Sequence, residues 1–213
     1  MAGSALYFAL VLAVGEIARR WIGIAPDITR KGVLAALAVW ALLTVTRFPD
    51  RGASTAFLVL AGALYFSFRF EILAALEDEG PTLGSVLAPL SLGLILALLG
   101  TGSPHIAGAA ALGIVADGTA ALVGRRRGTR RYHFFGHSRT MEGTLTLFLV
   151  ASASMAPVLG LVGGLDWHQA VAFALIAGTV AASVETISVY GSDNATVPFS
   201  VAATLLLLTA ATG

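Results

Sequence analysis

Two acidic residues stand where an apolar chain should have none. Asp117 lies in Gly113-Ile-Val-Ala-Asp-Gly-Thr-Ala-Ala-Leu-Val-Gly124, and Glu185 lies in Ala181-Ala-Ser-Val-Glu-Thr-Ile-Ser188. A charged side chain in hydrocarbon costs about 2.5–3.5 kcal/mol even on insertion scales, so it normally faces a cavity, a partner or an ion. Gly113, Ala120 and Gly124 share the helical face of Asp117, and Gly178, Ala181 and Ser188 share that of Glu185. Small residues permit close helix packing, so both acids are expected to point into a bundle. Arg125, Arg126, Arg127, Arg130, Arg131 and Arg139 crowd the fifteen residues from 125 to 139, more than membrane orientation needs. Glu142, Asp193 and Asn194 approach the same level of the chain. Acids and clustered arginines half in a membrane suit a metal-bound polyphosphate. Mg²⁺ takes one or two carboxylates plus phosphates, and arginine binds phosphate bidentately.

The elements that carry these residues follow from composition. The chain has 213 residues, 57% hydrophobic and only 12% charged, with a mean hydropathy of +0.85. A soluble domain carries roughly 25% charged residues, so a soluble enzyme is excluded, and disorder with it. A spanning helix needs about 20 mostly apolar residues. The gaps between charged residues predict eight helices, near 2–20, 28–46, 52–75, 82–100, 104–124, 139–162, 167–190 and 195–212. The count is seven if the first or third lies in the interface. Continuous apolar runs exclude a β-barrel. The first run lacks a positively charged start, so a retained span is expected rather than a signal peptide. The expected fold is all-α, a polytopic integral membrane helix bundle forming one catalytic domain over 1–213.

Eleven of the thirteen cations flank odd-numbered loops, and only Arg47 and Arg51 lie on the even side. The positive-inside rule then places odd loops in the cytoplasm and both termini outside. Alanine richness with a single lysine suggests a prokaryotic inner membrane. A net charge of +1 offers no basic excess for nucleic acid. Zero cysteines remove disulfides, Cys-ligated zinc and Cys nucleophiles. No Walker A, GxGxxG, G-x-S-x-G or HExxH sequence occurs. His133 and His137 are four apart but in an expected loop, which disfavours a metal pair.

Three elements in order carry a resemblance. Ala116-Asp117-Gly118-Thr119-Ala120-Ala121-Leu122-Val123-Gly124-Arg125-Arg126-Arg127-Gly128 resembles the G-D-x-x-A-x-x-x-G-[RK]-x-x-G element of the phytol kinase, dolichol kinase and CTP-dependent diacylglycerol kinase family. Ser138-Arg139-Thr140-Met141-Glu142-Gly143-Thr144 resembles its K-[ST]-x-E-G-[ST] element. Glu185-Thr-Ile-Ser188 followed by Asp193-Asn194-Ala-Thr-Val-Pro198 resembles its E-x-x-S…D-N-x-x-V-P element. Glu16 and Arg30-Lys31 resemble an early E…R-K pattern, although Leu34 occupies a stretch where relatives commonly have histidine, and Ala116 replaces a glycine.

The resemblance implies transfer of the γ-phosphoryl of CTP, or another nucleoside triphosphate, to a membrane lipid alcohol such as phytol, geranylgeraniol or dolichol. Such chemistry is mostly positioning and electrostatics. It implies Mg²⁺ on Asp117 and Asp193, with Asn194 assisting. Lys31, Arg125, Arg126 and Arg139 would neutralise the triphosphate, and Ser138 and Thr140 would hydrogen-bond it near a helix N-terminus. Thr119, Gly124 and Gly143 fall inside the same motifs and are expected at the nucleotide. Glu142 or Glu185 would orient or deprotonate the lipid hydroxyl. The alternatives are diacylglycerol phosphorylation by CTP, a phosphatidate cytidylyltransferase-like enzyme making a CDP-lipid, and an ion-coupled transporter. The transporter predicts acids across the whole membrane depth, which the even-side halves of these helices lack.

Overall fold

A run of small residues, Ala107 to Ala111, lets one helix become the axis of the molecule. The structure, a computed structural model, describes residues 2–47, 51–70, 72, 83–134 and 137–212. Among them are eight helices: α1 (Ala2–Arg20), α2 (Pro26–Thr46), α3 (Arg51–Phe70), α4 (Gly84–Leu99), α5 (Pro104–Arg127), α6 (Met141–Leu161), α7 (Trp167–Ile187) and α8 (Asp193–Thr212). Pro26 and Pro104 open α2 and α5, where a missing N–H costs nothing and the fixed φ suits a helix start.

The axial helix α5 touches α2, α4, α6, α7 and α8. Ile106, Ala107, Ala109, Ala110, Ala111, Ile114 and Ala116 on it are almost fully buried. Close approach is tight here. A Cβ on Gly108 would fall 2.7 Å from Leu42 Cδ1 on α2. The core continues through Leu34, Leu37, Leu92, Leu147, Met155, Leu159, Val197 and Leu205. At the periphery α1 packs on α2 and α3, and α3 on α4. Leu6, Leu10, Val14 and Ile17 leave an apolar stripe of α1 exposed, as a lipid-facing helix requires.

Among the described residues, seven helices are long and apolar enough to cross a membrane. The short one is α4, sixteen residues, which span only about 24 Å at 1.5 Å per residue. The expected eight helices are all present, and the first and third, on which the alternative count of seven turned, are both long and apolar enough to span. Boundaries also move. α2 begins at Pro26 rather than 28, α5 runs to Arg127 rather than 124, and α7 stops at Ile187 rather than 190. α3 ends at Phe70, with Ile72 outside any helix. The remaining stretch expected to carry it to 75, and the expected fourth start at 82, lie outside the described residues.

The expected basic loop after α5 is not plain loop. Arg131–Phe134 (β1) and His137–Thr140 (β2) pair as an antiparallel hairpin, with Arg131 opposite Thr140 and Tyr132 opposite Arg139. The Met141 N–H donates to the Arg130 carbonyl at 3.0 Å, carrying the pairing into α6. Sequence reading missed the strands because four residues each, mostly polar and charged, give no alternating apolar signal.

Candidate functional site

At the odd-loop end of the bundle a cavity of about 300 Å³ opens beneath the hairpin. Its walls come from helix ends and from the hairpin. The first turns of α2 supply Arg30 and Lys31, and α5 supplies Asp117, Ala120, Ala121, Gly124 and Arg125. The hairpin gives Arg131, Ser138, Arg139 and Thr140. Gly143 and Thr144 open α6, Glu185 closes α7, and Asp193 opens α8.

The deepest group is Asp117, 2% exposed and ten residues inside the end of α5, roughly 15 Å along the helix axis. It is tolerated because Lys31 of α2, itself buried, forms an ion pair and hydrogen bond with its Oδ2. A Cβ on Gly118 would lie 3.8 Å from Lys31 Cβ, ordinary van der Waals contact, so the lysine stem runs directly along this face of α5. A buried charge without such a partner would be strongly destabilising. Above this pair, Arg139 reaches down from β2. Its Nη1 lies 2.6 Å from Glu185 Oε1, and its Nη2 donates to the Ser188 carbonyl at 2.9 Å and the Glu185 carbonyl at 3.3 Å. Asp193 Oδ2 lies 4.0 Å from the same nitrogen. Arg125, largely exposed, pairs with Asp27 in the first turn of α2.

Two glycines set the crossing of α5 and α6 at this level. A Cβ on Gly124 would fall 2.7 Å from Thr140 Oγ1, and one on Gly143 would fall 2.9 Å from the same atom and 3.2 Å from the Ala120 carbonyl. Thr140 Oγ1 in turn caps α6 by accepting the Gly143 N–H at 3.2 Å.

The structure thus brings together Lys31, Asp117, Gly124, Arg125, Ser138, Arg139, Thr140, Gly143, Glu185 and Asp193 of the residues read from sequence. Four others stand apart. Glu142 does not line the cavity: its carboxylate accepts the Thr129 hydroxyl at 2.6 Å and the Arg130 N–H at 3.2 Å, tying the hairpin base to α6. Thr119 turns its hydroxyl back to the Val115 carbonyl at 2.8 Å, as a helical threonine readily does. Arg126 is exposed on the outer face of α5. Asn194 is 1% exposed behind the cavity, against α4, where a Cβ on Gly84 would meet its Nδ2 at 2.7 Å. The Asn194 carbonyl accepts the Ser91 hydroxyl at 2.9 Å, which fixes α8 to α4.

Arg30, Arg131 and Thr144 line the cavity without having been singled out as site residues. Arg30 and Thr144 adjoin Lys31 and Gly143, so motif adjacency was the available signal. Arg131 was visible only as one of six arginines, since its place depends on the strand register opposite Thr140.

Five cationic side chains and three carboxylates therefore share one space at a helix-bundle end. The cationic excess suits a polyanion, and the arginine forks suit phosphate oxygens. Among the described residues no cluster of three or more His, Cys, Asp or Glu could hold a metal alone. A divalent ion carried by a polyphosphate needs only one or two carboxylates, and Asp117, Glu185 and Asp193 offer hard oxygen donors.

The chain is 33% identical over 211 residues to a protein of Synechocystis sp. (strain ATCC 27184 / PCC 6803 / Kazusa) named phytol kinase, a match covering 92% of this chain and 85% of that one. No family model matches the chain, and no solved structure matches it.

Proposed function

The chain belongs to the phytol kinase family, and from that premise we propose that it transfers the γ-phosphoryl of CTP to the hydroxyl of a membrane isoprenoid alcohol. Phytol, geranylgeraniol and dolichol are the candidate acceptors. The observation that carries the reading is the cavity itself, in which cations for a triphosphate and a carboxylate for a hydroxyl proton meet inside an apolar helix bundle. CTP as donor rests on the motif resemblance.

In this reading Arg30, Lys31, Arg125, Arg131 and Arg139 hold the triphosphate, with Ser138 and Thr140 hydrogen-bonding its oxygens. Asp117 and Asp193 would hold Mg²⁺, whose chemistry is to neutralise charge on the phosphates. The lipid tail stays among the helices and its hydroxyl reaches the cavity. Glu185 accepts the hydroxyl proton as the lipid oxygen attacks the γ-phosphorus. The bond from that phosphorus to the β-bridging oxygen breaks, and CDP leaves. Burying the site restricts water, which would otherwise take the phosphoryl group. The positive-inside distribution supports a cytoplasm-facing cavity in a prokaryotic inner membrane, where the nucleotide is available.

Purified protein, Mg²⁺ and γ-labelled CTP or ATP, with a panel of phytol, geranylgeraniol, dolichol and diacylglycerol, tests the reading. Label in a prenyl phosphate supports it. Release of the label as pyrophosphate with a CDP-lipid product would sink it in favour of cytidylyl transfer. Labelled phosphatidate alone would redirect it to diacylglycerol.

A further inference from the structure

Tyr132 lies outside the cavity but stands opposite Arg139 on one rung of the hairpin. Its hydroxyl is 2.6 Å from Thr144 Oγ1 on α6 and 3.1 Å from Thr186 Oγ1 on α7. Both threonines also reach helix carbonyls, Thr144 that of Thr140 at 3.3 Å and Thr186 that of Ala182 at 3.0 Å. Each hydroxyl has one proton and two acceptor positions. Three protons serve four contacts: Thr144 donates to the Thr140 carbonyl and Tyr132 to Thr144, while Thr186 shares its single proton between the Ala182 carbonyl and Tyr132. Such a chain pins the hairpin to two helices at once, and hydrogen bonds in series reinforce one another.

The opposed residue grips the same helix end. Arg139 pairs with Glu185 at 2.6 Å, and Glu185 immediately precedes Thr186. One rung therefore carries two fasteners to the end of α7, one through the Arg139 guanidinium, ionic to the Glu185 carboxylate and hydrogen-bonded to the Glu185 and Ser188 carbonyls, and one made of hydroxyls. They respond differently to a polyphosphate. A phosphate competes directly for the Arg139 fork, so the ionic fastener loosens when nucleotide arrives. The hydroxyl fastener carries no charge and keeps its hold.

Resting on the kinase reading above, we infer that Tyr132 is a positioning residue. It keeps the hairpin seated on α6 and α7 while Arg139 exchanges its carboxylate partner for a nucleotide phosphate. Without it, Arg139 would still bind phosphate but from a displaced strand. Misplacement of a catalytic group by about 1 Å can cost on the order of 10²-fold in rate.

The test is a kinetic cycle on the purified full chain with CTP and the best lipid alcohol, using wild type, Tyr132→Phe, Arg139→Lys and the double variant. Tyr132→Phe removes the hydroxyl and keeps the ring. It should lower kcat about tenfold or more and leave the lipid KM unchanged. In the Arg139→Lys background, where the fork is already lost, the same change should cost almost nothing further, because residues acting as one unit are non-additive. Thr186→Val, which keeps shape and deletes one hydroxyl of the chain, should move kcat in the same direction and serves if Tyr132→Phe is poorly folded. Wild-type kcat in the hydroxyl variants overturns the inference, as does a full, additive loss on top of Arg139→Lys. Absence of phosphoryl transfer by the wild type itself would instead remove the kinase reading beneath it.

Discussion

Lys31 and Asp117 lie 86 residues apart in sequence and form a buried ion pair between α2 and α5. The pair joins two of the helices that frame the cavity, and it presents both an ammonium and a carboxylate to that space. Its structural and chemical roles can be separated. Lys31→Met leaves Asp117 without a partner and should cost about 3–5 kcal/mol. Replacing both, as Lys31→Met with Asp117→Leu, should restore most of that loss, since apolar replacements of a buried pair are often neutral or stabilising. Phosphoryl transfer should stay abolished. Thermal melting in detergent reads the first quantity and lipid labelling the second. Recovery of turnover along with stability would reduce the pair to packing.

The two glutamates should part company. Glu185 lines the cavity beside Arg139, whereas Glu142 is engaged with Thr129 and the Arg130 N–H. Glu185→Gln should lower kcat by about 10²–10⁴-fold, the usual contribution of a positioned general base. Glu142→Gln should keep most of the wild-type kcat, because it changes only the tie at the hairpin base. Side-by-side turnover of the two variants decides the matter. Equal losses would move the base back to an open question between them.

The proposed Mg²⁺ role of Asp117 and Asp193 predicts divalent ion dependence. Chelation should abolish transfer, and Mg²⁺ should restore it. Asp193→Asn should raise the Mg²⁺ concentration needed for half-maximal activity, because Asp193 keeps its backbone bond to the Asn194 N–H at 2.9 Å through one oxygen and offers the other to the cavity. Unchanged Mg²⁺ dependence in that variant would remove Asp193 from the metal's surroundings.

How much of this could be read in the sequence depends on range. The bundle and most helix bounds follow from apolar run length, a local property. The acids on α5 and α7 were legible because hydrocarbon makes any charge informative. The choice between Glu142 and Glu185 could not be made from sequence, because a motif position says nothing of which way a first-turn side chain faces, and Thr129, thirteen residues earlier, engages Glu142. The partnership of Lys31 with Asp117 and the turn of Asn194 toward α4 depend on which helices touch. No local pattern encodes that. Arg131 and Tyr132 depend on strand register, which a four-residue polar hairpin does not announce.

Orientation can be checked with a feature of composition. The chain has no cysteine, so single cysteines report without background. Arg127, exposed at the end of α5, lies on the arginine-rich side, and Thr101, exposed between α4 and α5, lies on the other. Arg127→Cys should react with an impermeant maleimide only in inside-out vesicles, and Thr101→Cys only in right-side-out ones. The reverse pattern would put the cavity on the outer face, away from cytoplasmic nucleotide.

The crossing of α5 and α6 makes the last prediction, because three small features there meet at one atom. Thr140 Oγ1 caps α6 and occupies the space that a Cβ on Gly124 or Gly143 would need, at 2.7 and 2.9 Å. Gly124→Ala should therefore destabilise by about 1–3 kcal/mol, the usual cost of overpacking. It should also lower kcat, since the displaced Thr140 is the last residue of the strand that carries Arg139. Thr140→Ala alone loses the cap, about 1 kcal/mol. In the Gly124→Ala background it should cost less than that or even stabilise, because deleting the hydroxyl relieves the clash. Melting temperatures of the two single variants and the double variant measure the coupling. Gly143→Ala should be less forgiving in the same cycle, because its added Cβ also meets the Ala120 carbonyl at 3.2 Å, and backbone cannot move aside as a side chain can. Simple additivity at Gly124 would show that the helices already have room there, and that the glycine serves the cavity rather than the crossing.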